Sequence, residues 1–212
     1  MNGLISGTTP ALARHLPAPA VAYGTHLWQE LAFSLVISRP RRTKLGDFRA
    51  LRHSAGTVYT ITVNENLNPY AFLITYLHEV AHLLVHRQWF LKPRRRRILP
   101  HGPEWQQAFR EVMEPVLNET VFPAPVLNPL RDYLQDPAAA TGAHPALTQA
   151  LRTYDAVPEG QCLLIDLPEG QNFRFLRKEY IRGMKRRTRI VCTEKGTGIR
   201  VSIWAHVWVE KL

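Results

Sequence analysis

Apolar and polar residues recur with two periods along the chain, and the switches between them mark its elements. After Pro10, Pro17 and Pro19 a helix is expected over about residues 20–30. Three runs of strand character follow, LAFSLVIS (31–38), KLGDFRAL (44–51) and TVYTITVN (57–64), separated by basic or glycine-containing turns. In the third run Tyr59, Ile61 and Val63 alternate with Val58, Thr60 and Thr62, the period of a half-buried antiparallel strand. Asn68-Pro69 then joins a capping side chain to a residue suited to the first helical position, so a helix opens at Pro69. That helix, PYAFLITYLHEVAHLLVHRQWF, is apolar on nearly every side, as a helix enclosed in a core is. A second helix opens at Pro103, carries Trp105, Ala108, Phe109 and Val112 on one face, and is disturbed at Pro115.

Residues 121–154 are rich in proline and alanine, with short helical pieces and no strand pattern. From Gln161 onward the pattern turns to strands: QCLLIDL, NFRFLRKEY, RTRIVCTEK and IRVSIWAHVWV, with turns at Pro168-Glu169-Gly170 and Gly196-Thr197-Gly198. The expected fold class is therefore α+β. A domain over 1–135 is built on a helix and a short antiparallel sheet, 136–160 serve as a connector, and 161–212 form a small antiparallel β module.

Composition narrows the class. Of 212 residues 45% are hydrophobic and 21% charged, ordinary values for a folded chain and far from those of a disordered one. The apolar run Leu31 to Ile37 is far below the roughly 20 residues of a membrane helix. The opening MNGLISGTTPALARHL lacks the basic and apolar regions of a signal peptide, so a cytoplasmic location is expected. Two cysteines, Cys162 and Cys192, cannot build a disulfide framework or a four-cysteine zinc ribbon, and they are expected to be buried thiols.

Charge adds a partner. The formal net charge is +10, from 27 Lys+Arg and 17 Asp+Glu. Three acid-free runs, RPRRTK (39–44), KPRRRR (92–97) and KRRTR (185–189), hold 13 of those 27 cations. Such runs repel themselves unless an anion is near, so a polyanion met through its phosphates, DNA, RNA or a ribosome, is one expected partner, and solvated loops that aid solubility are the equal alternative.

The chemistry lies in HEVAH, residues 78–82. Histidines four apart share one helix face and can bind one metal, with the intervening glutamate beside them as general base for water. Burying two imidazoles and a carboxylate in an apolar helix costs several kcal/mol unless they are paired or coordinate a metal. A catalytic zinc needs a third protein ligand. His101 in PHGPEW is the best candidate, with Gly102 allowing a tight approach and Pro103 directing the departing helix. His86 is the rival, but two steps of four carry it about 80° round the helix from His78. Glu104 could also ligate, although a glutamate in a first helical turn is favoured by the helix dipole alone. His15, His26, His53, His144 and His206 have no ligand-like spacing.

HEVAHLLV, the HG pair of PHGPEW about 20 residues on, and upstream RRTKLGDFR and ITVNENLN together resemble the SprT-like (SprT/Spartan) zinc metalloproteases over roughly residues 31–114. The resemblance implies a minimal zincin-like domain, one zinc held by His78, His82 and His101, Glu79 as the catalytic residue, and protein substrates associated with or crosslinked to DNA. It therefore implies a metalloendopeptidase of DNA-protein crosslink repair. Many members of that family carry a cysteine-rich zinc ribbon after the protease domain. Here the β module has only Cys162 and Cys192, so it is ribbon-like without a cysteine zinc site. For the second oxyanion donor, Tyr70, Tyr76 and Arg94 to Arg97 are candidates. Trp204 and Trp208 are expected to pack in the core or on a sheet face. The rival function is a nucleic-acid-binding or scaffold protein with a structural or vestigial metal site. An intact Glu79 argues against it, since a structural site needs no general base.

Overall fold

The computed structural model describes residues 9–41, 43–54, 56–90, 99–138, 144–156 and 160–212. The chain is mixed α+β and divides into two compact units, one ending at Asp155 and one covering Ala156–Leu212. Among the described residues no helix is long and apolar enough to cross a membrane.

The first unit runs α1 (Thr9–Ala13), α2 (Val21–Leu31), β1 (Ser34–Ser38), β2 (Gly46–His53), β3 (Gly56–Asn64), α3 (Pro69–Val85), α4 (Pro103–Met113), α5 (Ala124–Gln135) and α6 (Pro145–Arg152). The strand expected from Leu31 begins only at Ser34. Helix α2 extends to Leu31, and Ala32 closes it in the left-handed conformation at φ 46°, its N–H bonded to the Trp28 carbonyl. The three-stranded sheet has the order β1-β3-β2. Strands β2 and β3 form the expected antiparallel pair, but β1 runs parallel to β3, so the sheet is mixed where a wholly antiparallel one was expected. The chain leaving β1 crosses the end of β3 before β2 begins, and that crossover sets the parallel pairing.

Helix α3 opens at Pro69 as expected, with the Asn68 side chain accepting the Ala71 N–H at 3.0 Å. It packs against β2 and β3 and against α4. Phe72, Leu73, Ile74, Tyr76, Leu77, Val80, Ala81 and Leu83 are all fully buried, which is why this segment carries no polar stripe. The expected connector is largely part of this unit, because α6 places Leu147 and Leu151 in the same core. The Asn68 amide nitrogen also donates to the Leu151 carbonyl at 2.9 Å.

The second unit is a six-stranded antiparallel sheet in the order β4-β9-β5-β6-β7-β8. Its strands are β4 (Gln161–Leu163), β5 (Asn172–Phe175), β6 (Lys178–Lys185), β7 (Arg189–Glu194), β8 (Arg200–Trp204) and β9 (Trp208–Lys211). Two runs read as single strands are in fact pairs. NFRFLRKEY turns at Leu176-Arg177, both at positive φ (49° and 66°), as a tight hairpin between right-twisted strands demands. IRVSIWAHVWV breaks after Trp204, and β9 leaves to pair with β4 and β5. Leu164, Phe173, Ile190 and Cys192 are fully buried at the centre of this unit.

Candidate metal centre

His78 and His82 sit one turn apart on α3, and His101 comes to them from the start of α4. The three Nε2 atoms face one another: 3.2 Å between His78 and His82, 3.1 Å between His78 and His101, and 2.9 Å between His82 and His101. Three neutral imidazoles in a triangle of lone pairs are poorly satisfied by one another. They suit a cation, and these residues form a group that could hold a metal ion. The edge of a tetrahedron around an ion with nitrogen bonds of 2.0–2.1 Å is about 3.3 Å, close to the observed spacings. Burial, followed by the neighbouring imidazoles, pushes His78 down to about 3, and the same causes push His82 down to about 4. Burial also lowers His101. All three are thus neutral near pH 7, the protonation state that binds metal.

The backbone reaches this geometry at a conformational cost. His101 adopts the left-handed conformation, at φ 59°, unusual for a residue with a side chain. The turn that imposes it is closed by the Gly102 N–H on the Leu99 carbonyl at 3.0 Å, and a Cβ at Gly102 would lie 3.1 Å from that carbonyl oxygen. Pro103 then starts α4, as expected.

Beneath the histidines lies Trp105, only 1% exposed. Its ring centroid is 4.5 Å from that of His78, 5.5 Å from His82 and 4.6 Å from His101. Sequence reasoning gave Trp105 a place in the core and missed this contact. Its spacing of four from His101 at the head of a helix is the signal that would have found it.

Glu79 lies about 100° round α3 from His78 and about 60° from His82, against the start of β2. Its carboxylate is buried at 7% exposure and accepts the Phe48 N–H. Burial, helped by Asp47, raises its carboxyl to about 8, against the opposing pull of Arg41, Lys44 and the Phe48 N–H.

The other expected site residues fall elsewhere. His86 packs edge-on against Phe48 and Tyr59, and neither it nor Glu104 belongs to the histidine group. Tyr76 is fully buried and donates its hydroxyl to the Gly24 carbonyl at 2.8 Å, so it has no proton left for an oxyanion. Tyr70 packs against Phe122 and Tyr154. The run 92–97, with Arg94 to Arg97, lies outside the described residues. In the run 39–44, Arg41 bonds Asn64 and Lys44 pairs with Asp47 at 2.7 Å, so these two cations are engaged within the fold. Lys185, Arg186, Arg187 and Arg189 are exposed, and the Arg189 guanidinium stands 4.5 Å over the ring of the half-exposed Trp204. Cys162 and Cys192 are free, buried thiols raised by that burial. Comparison of the chain with protein-family models, curated proteins and solved structures finds no match.

Proposed function

We propose that the chain is a zinc-dependent endopeptidase of the SprT-like type with a zincin-like catalytic domain. The observation that carries this reading is the convergence of three neutral imidazole Nε2 atoms within 3.2 Å of one another, with the buried Glu79 carboxylate on the adjoining residue. His78, His82 and His101 would hold the ion, and three nitrogen ligands leave the open coordination position that catalysis needs. Bound there, zinc supplies Lewis-acid polarisation of the scissile carbonyl and of water.

Glu79 takes the proton of the attacking water and returns a proton to the leaving amine. Burial raises its carboxyl to about 8, and a dication held by the neighbouring histidines would favour the ionised carboxylate again, the form that accepts the proton of water. No side-chain nucleophile is required.

Substrate proteins associated with or crosslinked to DNA fit the charge of the chain. Among the described residues no carboxylate pairs with Lys185, Arg186, Arg187 or Arg189, whereas Arg174, Lys178, Arg182 and Lys195 all have acidic partners. Unpaired, exposed cations of this kind suit phosphate. The deciding experiment loads the chain with one equivalent of zinc and follows cleavage of an unstructured protein with and without DNA. Wild type should cleave and Glu79→Gln should not, while still binding one zinc. Cleavage by metal-loaded Glu79→Gln, or a wild type that binds zinc and cleaves nothing, overturns the reading in favour of a structural metal site.

A further inference from the structure

The buried carboxylate of Glu79 needs a fixed environment, and the crossover between β1 and β2 supplies it. Because β1 and β2 flank β3 on opposite sides, the chain between them passes over the end of β3 at Asn64. A crossing segment carries backbone groups that no strand pairs, and enclosed ones need partners. Asn64, only 1% exposed, provides them. Its Nδ2 donates to the Lys44 carbonyl at 3.0 Å and to the Arg41 carbonyl at 3.4 Å. Its Oδ1 accepts from Arg41 Nε at 2.8 Å and from Ser38 Oγ at 3.2 Å, and its backbone N–H donates to the Leu45 carbonyl at 2.9 Å.

The residue delivered by this crossing is Gly46, which pairs with Val63. A Cβ on Gly46 would run into Oε1 of Glu79 and would stand 2.8 Å from its Cγ and 2.8 Å from Cγ2 of Thr75. Glycine is therefore required here for room, not for a special φ. Thr75, one turn before Glu79, is itself fixed by its hydroxyl bond to the Ala71 carbonyl at 2.8 Å. Two residues beyond Gly46, the Phe48 N–H reaches the Glu79 carboxylate.

We propose that Asn64 and Gly46 are positioning residues for Glu79: the Asn64 carboxamide fixes the crossover so that the bare α-carbon of Gly46 and the Phe48 N–H together form the socket of the Glu79 carboxylate. The socket is a property of the fold. Its catalytic consequence rests on the reading of Glu79 as general base. A displaced base loses rate without losing substrate affinity, and misplacement by about 1 Å costs on the order of 100-fold.

Asn64→Asp tests this with nearly the same shape, since it keeps the acceptor for Arg41 but cannot donate to the Lys44 and Arg41 carbonyls. On the zinc-loaded chain kcat should fall by about 10- to 100-fold, with KM and bound zinc unchanged. Amide exchange should lose protection at Phe48 while Ile61 and Val63 stay protected. A second measurement stands if Asn64→Asp fails to fold. Gly46→Ala should lower the melting temperature by about 3–10 °C, and by clearly less when combined with Glu79→Ala, which removes most of what the new methyl meets. Wild-type kcat and Phe48 protection in Asn64→Asp, or melting shifts for Gly46→Ala and Glu79→Ala that simply add, overturn the proposal. A wild-type chain that cleaves no protein defeats the protease reading instead, and the exchange and melting measurements still decide the socket.

Discussion

Trp105 donates its indole Nε1–H to the carbonyl oxygen of His78 at 3.3 Å while its ring lies 4.5 Å from the His78 imidazole. One side chain thus holds the backbone of one histidine and the ring planes of all three. Groups that orient metal ligands typically contribute 10- to 100-fold in affinity. Trp105→Phe keeps an aromatic floor but loses the N–H, so it should weaken zinc binding by about 10-fold with one site retained. Competition against a chromophoric chelator measures this. Unchanged affinity would reduce Trp105 to core packing.

Asn68 joins two ends of the first unit. Its Oδ1 caps α3 at the Ala71 N–H, and its Nδ2 donates to the Leu151 carbonyl and, at 2.7 Å, to Asp155. Asn68→Ala removes a cap, at a cost of about 1 kcal/mol, and takes one hydrogen bond from the Leu151 carbonyl, which keeps the Tyr154 N–H, and one from Asp155, at about 0.5–1.5 kcal/mol each. Asn68→Asp retains the cap acceptor but sets a second carboxylate beside Asp155, so it should destabilise as well. Denaturant unfolding gives both values, and a loss below about 0.5 kcal/mol for Asn68→Ala would show that α6 is not held from this point.

The left-handed backbone of His101 allows its two roles to be separated. Asparagine tolerates that conformation and alanine does not. His101→Asn should therefore weaken zinc affinity by at least about 100-fold with little change in the stability of the metal-free chain, and His101→Ala should lower both. The double change Cys162→Ala, Cys192→Ala should bind zinc as wild type does, because both thiols are buried in the second unit and are pushed up by that burial. Zinc per chain, measured after gel filtration, checks all three. Loss of zinc from the cysteine variant would move the site.

How much of this was legible depends on how local the signal is. The opening of α3 could be read because Asn68-Pro69 act within one turn, and the histidine group because HEVAH and the HG pair each fix a backbone geometry in a few residues. The parallel pairing of β1 with β3 was not legible, since alternation says which face of a strand is buried and nothing about its neighbour. The Leu176-Arg177 turn was missed because neither residue belongs to the glycine and asparagine vocabulary of such turns. Gly46 and Asn64 looked like strand residues. Their relation to Glu79 exists only once the crossover has brought residues 38, 41, 44 and 64 together.

The hairpin between β6 and β7 offers the sharpest test of the proposed nucleic-acid partner. Lys185, Arg186, Arg187 and Arg189 are exposed around it, and the acidic residues Glu169, Glu179, Glu194 and Glu210 pair with other cations. Among the described residues no carboxylate therefore neutralises the positive field at this turn. Phosphates meeting it would release counterions, so affinity should fall steeply with salt and depend little on base sequence. Each lost contact should reduce the log-log salt slope by about 0.9 on duplex DNA. Replacing Lys185, Arg186 and Arg187 with serine should flatten the slope by about 2–3, leave zinc content unchanged, and spare Arg189, whose guanidinium lies over Trp204. Titration of labelled duplex at several salt concentrations measures it. Equal slopes for wild type and the triple variant would make this turn an ordinary solvated one. Whatever DNA affinity the chain then shows would have to come from its other basic runs.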